Sequence, residues 1–178
     1  MKTNHNYYTF FSRLPSRLAW DAPQHWADLG CGNGVFTEVL AAYLPVYSRI
    51  TAVDRTYQQL PAIMGNEVSV SFQQADFVAG ELGLQSLQGI LLANALHFVK
   101  DKEALIQKLE KYFAAQPSFL IVEYDHTIAN QWVPYPVPFQ KLKKHFAESG
   151  YQHIEKIGER KSMYGGRMYA AVITGKTT

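Results

Sequence analysis

The sequence predicts an α/β protein built on a doubly wound, mostly parallel sheet of seven strands with helices on both faces. Two observations carry this. Strand-like and helix-like stretches alternate from Gln24 to Gly150, the pattern of successive βαβ units. After Gly150 two further strand-like stretches follow with no room for a helix between them, so they form a hairpin and put one antiparallel strand into the sheet. The chain has 178 residues, 47% of them apolar, and a net charge of +2. That length suits one well-buried core, so residues 1–178 read as a single domain.

The elements follow in order. "QHWADL" from Gln24 is the first strand, and "VFTEVLAAYL" is a helix that stops at Pro45. "SRITAVD" is the second strand, with a short helix expected over "TYQQLPAIM", where Pro61 limits its length or places its start. "EVSVSFQQAD" alternates with period 2 and makes the third strand. "LQGILLAN" is a nearly continuous apolar run, as in a strand covered on both faces. "DKEALIQKLEKYFAA" starts with Asp101 as N-cap and sets Leu105, Ile106, Leu109, Tyr112 and Phe113 on one stripe. "SFLIVEY" is the fifth strand, and "FQKLKKHFAESG" a helix with Phe139, Leu142 and Phe146 inward and Gly150 as its stop. "YQHIEKIGER" and "RMYAAVITGK" are the hairpin strands, joined through Gly165-Gly166.

Composition excludes several classes. No run of about 18 apolar residues is present to cross a bilayer, and "MKTNHNYYTFFSRL" lacks the apolar stretch of a signal peptide; no membrane association and a cytoplasmic location are expected. Cys31 is the single cysteine and no Cys/His spacing suggests zinc, so neither a disulfide nor a metal is expected. The charge is too mild to announce a nucleic-acid partner. Lys141, Lys143, Lys144, Lys156, Arg160, Lys161 and Arg167 concentrate in the last third, where they suit a solvated helix face and strand ends.

The stretch "WADLGCGNGVFTEVLA" from Trp26 runs from a strand through a glycine-rich turn into a helix. Glycines at such a corner allow positive φ or close approach of a ligand to the backbone. A dinucleotide would call for Gly-x-Gly-x-x-Gly. Here Gly30 and Gly32 match, but position 35 is Val35 and the third glycine is Gly34. Asp28 beside the turn would also repel a pyrophosphate and welcome a cationic group.

The pattern Asp28-x-Gly30-x-Gly32-x-Gly34 after an apolar strand resembles the first motif of the class I (Rossmann-like) S-adenosylmethionine-dependent methyltransferases. Their ligand carries an ammonium and a sulfonium and no phosphate. The resemblance implies that the last strand inserts beside the fifth, that the cofactor is S-adenosylmethionine, and that the product is S-adenosylhomocysteine. It puts the methionine part at Asp28, Gly30, Cys31, Gly32 and Gly34, with the acid near the ammonium. Cys31 could also be a nucleophile or simply a small residue in a tight turn. Asp54, with Arg55 next to it, ends the second strand and can accept both ribose hydroxyls; the rival reading is an N-cap for a helix near Thr56. Asp76 and Phe77 end the third strand at the adenine position, though Asp76 also suits a turn.

"NALHFVKD" at the end of the fourth strand resembles the small-molecule members of the class. Asn94 matches the Asn/Asp-Pro-Pro-Tyr/Phe motif of enzymes that methylate exocyclic or amide nitrogens, whereas Ala95, Leu96 and His97 depart from it. His97, Glu123, Tyr124 and His126 are candidate general bases where the acceptor arrives protonated; His97 also suits a contact role without proton transfer. "TIANQWVPYPVP" is stiffened by prolines, and Trp132 and Tyr135 offer flat faces for a substrate or for the core. Tyr7, Tyr8, Phe10 and Phe11 in segment 1–22 either cover the site or pack. The expected function is methyl transfer to a small molecule by in-line displacement in a closed site. RNA or protein methylation, or a non-catalytic cofactor-binding partner subunit, are the alternatives.

Overall fold

The computed structural model describes residues 5–18, 20–162 and 166–177. It opens with α1 (His5–Tyr8) and a 3-10 turn (Thr9–Phe11), followed by β1 (His25–Leu29), α2 (Val35–Ala41) and β2 (Arg49–Asp54). Then come β3 (Ile63–Met64), β4 (Val68–Gln74), β5 (Gly89–Ala93), a second 3-10 turn (Leu96–Phe98), α3 (Lys102–Glu110) and β6 (Phe119–Tyr124). The chain ends with α4 (Phe139–Glu148), β7 (Tyr151–Lys161) and β8 (Arg167–Lys176). The sheet has eight strands in the order β3-β4-β2-β1-β5-β6-β8-β7. Strands β4, β2, β1, β5 and β6 run parallel, and β8 pairs antiparallel with both β6 and β7. The expected sheet is therefore present, with the last strand beside the one ending at Tyr124.

Period-2 alternation divides the buried side chains between the two faces. Leu29, Ile90, Leu92, Phe119 and Ile121 pack with Leu105, Ile106 and Leu109 of α3 and with Leu142 and Phe146 of α4. Trp26, Ile50, Leu91, Leu120 and Val122 face the other way, onto α2 and the N-terminal Phe10, Phe11, Leu14 and Leu18. Asp101 caps α3 by accepting from the Ala104 amide at 2.9 Å, as its position predicts.

The helix expected over Thr56–Met64 does not form. Residues 57–61 have no regular secondary structure, and Ile63 and Met64 pair antiparallel with Ser69 and Val68, adding the eighth strand. The intervening turn closes α2: the Asn66 amide donates to Ala41 O at 3.2 Å and its side chain to Leu44 O at 3.0 Å. A Cβ on Gly65 would come within 2.5 Å of the Ala41 backbone, so this close approach requires glycine.

In the described part of the N-terminal segment Phe10, Phe11, Leu14 and Leu18 are buried in the core, with Tyr7 and Tyr8 packed against it. The Tyr7 ring meets Phe36 edge-on at 5.0 Å, the Tyr43 hydroxyl donates to Tyr8 O at 2.6 Å, and Arg17 pairs with Glu155 of β7 at 2.7 Å. Gly165 of the expected hairpin turn lies outside the described residues. No helix among the described residues is long and apolar enough to cross a membrane.

Candidate active site

The strand order reverses beside β1, whose neighbours are β2 and β5. A crevice opens at the C-terminal ends of strands at such a point. The glycine turn sits on its edge, fastened by the Gly30 and Cys31 amides, which donate to Val53 O at 2.8 and 3.0 Å. Gly30 and Gly34 have φ of +78° and +80°. A Cβ on either would lie 2.8 Å from a neighbour, Ala95 Cβ for Gly30 and Leu60 Cδ2 for Gly34. Nothing lies within 4 Å of the direction in which a Gly32 side chain would point, so that face of the turn is open.

A cavity of about 530 Å³ adjoins the turn. Six of the residues expected at a cofactor line it: Gly30, Asp54, Arg55, Asp76, Phe77 and Asn94. Asp54 accepts the Gly32 amide at 2.9 Å and the Thr56 amide at 2.9 Å, so its carboxylate ties the end of β2 to the glycine turn. Asp76 accepts from Val78 and Ala79 through Oδ1, and these amides, Ala79 foremost, hold its carboxyl below the usual range. Neither acid starts a helix. Asn94 takes a φ of +53°, a left-handed conformation that asparagine tolerates, and its buried Oδ1 has no hydrogen-bond partner.

Asp28 lies beneath the turn, fully buried, with Oδ2 accepting from the Thr37 hydroxyl at 2.6 Å and Oδ1 unpartnered. Burial pushes its carboxyl up to about 7, against the lowering effect of Thr37, and the nearby Asp54 raises it further. A buried acid with a free oxygen suits a cationic group close by. Cys31 is buried, and burial foremost, then Asp28 and Asp54, pushes its thiol up, which disfavours the thiolate that a nucleophile needs.

A second cavity, of about 640 Å³, shares Asn94 and Phe98 with the first. His97, Tyr124, His126 and Trp132 line it. His97 and Glu123 are both buried. Glu123 Oε1 accepts the His97 amide at 3.0 Å and Oε2 lies 2.8 Å from His97 Nδ1. Glu123 thus serves behind His97 and does not itself line the cavity. Trp132 is 73% exposed, so it does not tuck into the core. Tyr135 lines a neighbouring cavity with Lys102, whose ammonium lies 5.7 Å from the Tyr135 ring.

Sequence reading did not single out Thr37 or Phe98. Thr37 lies nine residues beyond Asp28, on the buried side of α2. Phe98, an aromatic following His97 and 56% exposed, was detectable only as a large apolar residue without a place in the α3 stripe. Glu103, His145 and Glu148 also come within 4.8 Å of one another between α3 and α4. His145 pairs there with Glu103, and Lys144 lies 3.8 Å from Glu148.

The methyltransferase domain family matches residues 27–115, half of the chain. The chain belongs to this family. The matched region runs from β1 to just beyond α3 and contains the whole first cavity. Trans-aconitate 2-methyltransferase of Paracidovorax citrulli is 35% identical over 97 residues, which are 54% of this chain and 37% of that protein. The match thus spans little more than a third of the relative's length. Two solved structures share the methyltransferase fold. A SAM dependent methyltransferase from Aquifex aeolicus aligns with a TM-score of 0.66 at 10% identity, over 95% of this chain and 92% of the other. The Burkholderia thailandensis 1,6-didemethyltoxoflavin-N1-methyltransferase, with bound 1,6-didemethyltoxoflavin and S-adenosylhomocysteine, aligns at 0.69 and 14% identity, over 99% and 80%.

Proposed function

We propose that the chain binds S-adenosylmethionine in the first cavity and catalyses methyl transfer to a small molecule in the second, releasing S-adenosylhomocysteine. The observation that carries this is the contact of the two cavities at Asn94 and Phe98, next to the glycine turn. When bound, the cofactor supplies a methyl group on a cationic sulfur. The residues suit it: Asp28 Oδ1 and Asn94 Oδ1 are buried acceptors without partners, and Asp54 and Asp76 are acids at successive strand ends. Asp28 offers charge to an ammonium, Asp54 accepts from ribose hydroxyls, and Asp76 with Phe77 holds the base, with Gly30 and Gly32 leaving room for close approach. The remaining task of the chain is to align donor and acceptor and to exclude water. A cavity of this size matches a small-molecule pocket, and the family relatives named for small acceptors support the same class.

The test is incubation with methyl-labelled S-adenosylmethionine and a cell extract separated into metabolites, RNA and protein. Label is expected in the metabolite fraction. Label confined to RNA or protein would replace the small-molecule reading.

A further inference from the structure

Among the described residues, no lysine or arginine lines the second cavity. A polycarboxylate entering it would lose water without gaining a cation, and would approach the buried Glu123 behind His97. Its mouth instead carries two large aromatics left to solvent, Phe98 and Trp132, with Tyr124 and Val133 beside them. Flat apolar faces of this kind gain by covering an aromatic ring.

The polar groups at the bottom are equally particular. Glu123 Oε1 accepts the His97 amide, and Oε2 accepts the Tyr124 amide at 3.3 Å as well as facing His97 Nδ1. With each oxygen facing a backbone amide, the arrangement suits a carboxylate that accepts from Nδ1–H. Nε2 is left with its lone pair, and among the described residues it has no hydrogen-bond partner. The buried His126 Nδ1 and Asn94 Oδ1 of the same cavity are also unpartnered.

We infer that the acceptor is a flat, uncharged aromatic molecule with an acidic hydroxyl, its ring covered by Trp132 and Phe98 and its hydroxyl bonded to His97 Nε2. This rests on the methyl-transfer reading and specifies its substrate class. The acceptor O–H bond breaks, an N–H bond forms at Nε2, and the electron pair stays on the oxygen, which becomes the nucleophile. Glu123 holds the resulting imidazolium until the proton passes to water. A hydroxyl needs such a base because it is a poor nucleophile until deprotonated.

The probe is 4-nitrophenol, whose ionised form is visible by its absorbance, titrated into the protein at a pH below the probe's own pKa. Saturable binding with growth of the phenolate band is expected, and citrate should not bind. Trp132→Ala, at an exposed position that does not threaten the fold, should weaken binding about threefold to tenfold. His97→Gln, which retains a donor toward Glu123, should keep binding but lose the phenolate signal. Citrate binding as tightly as 4-nitrophenol, or 4-nitrophenol binding that neither substitution changes, overturns the inference. Calorimetry with S-adenosylhomocysteine separates the two levels. If that compound binds and 4-nitrophenol does not, the aromatic acceptor fails and the methyl-transfer reading stands; the reverse result removes the methyl-transfer reading.

Discussion

At Asp28 burial works against ionisation, and the consequence is a pH dependence with a definite sign. An unfolded aspartate ionises near pH 4, while the folded carboxyl keeps its proton to about pH 7. Between these values the native state binds more protons than the unfolded one, so this group's contribution lowers stability as pH rises through that window. Asp28→Asn removes the charge and should gain on the wild type as pH goes from 5 to 8, by about 1 to 3 kcal/mol in urea unfolding. A difference that does not change with pH would show that Asp28 is already ionised at pH 5. Cys31 beside it, its thiol pushed up by burial, should resist iodoacetamide at pH 8 in the native protein and react after denaturation; mass spectrometry reads the adduct. Asp54 has two roles in prospect, a tie between Gly32 and Thr56 and an acceptor for ribose. Asp54→Ala should weaken S-adenosylhomocysteine binding by about 1.5 to 3 kcal/mol. A lower melting temperature with unchanged affinity would leave only the tie.

At the scale of elements, the segment between β6 and α4 forms a fixed wall. Asp125 accepts the Phe139 amide at 3.0 Å, Tyr135 N donates to His97 O at 3.0 Å, and the buried Tyr169 hydroxyl donates to Val137 O at 2.6 Å. Tyr169→Phe leaves that carbonyl without its partner, and should cost about 1 to 3 kcal/mol of stability; an unchanged urea midpoint would mean that the wall does not depend on this bond. The same scale shows where sequence was and was not readable. The α3 stripe and its Asp101 cap were evident because cap and apolar period agree. A short helix was expected over Thr56–Met64, but the Leu60 side chain lies where a Gly34 Cβ would point and Met64 pairs across to Val68. A turn signal at Gly65-Asn66 before an alternating strand was the local evidence for a hairpin. Tertiary contact decided the local structure there.

At the scale of the molecule, sheet order converts distant residues into neighbours. Asp54, Asp76 and Asn94 come from the ends of three strands and line one cavity with Gly30, and their places were readable because each closes a strand-like stretch, apolar before Asp54 and Asn94 and alternating before Asp76. The pairing of His97 with Glu123, 26 residues apart, was not. Both were singled out as separate candidates, since only the adjacency of β5 and β6 brings them together. The separation of Tyr135 from Trp132 was likewise invisible in a loop without period. The proposed function joins these features in one crevice that takes a ligand with a cationic group and no pyrophosphate, and titration calorimetry with S-adenosylhomocysteine and with NAD tests this most directly. Saturable heat from S-adenosylhomocysteine and none from NAD is the expected result. Tight NAD binding with no response to S-adenosylhomocysteine would contradict it.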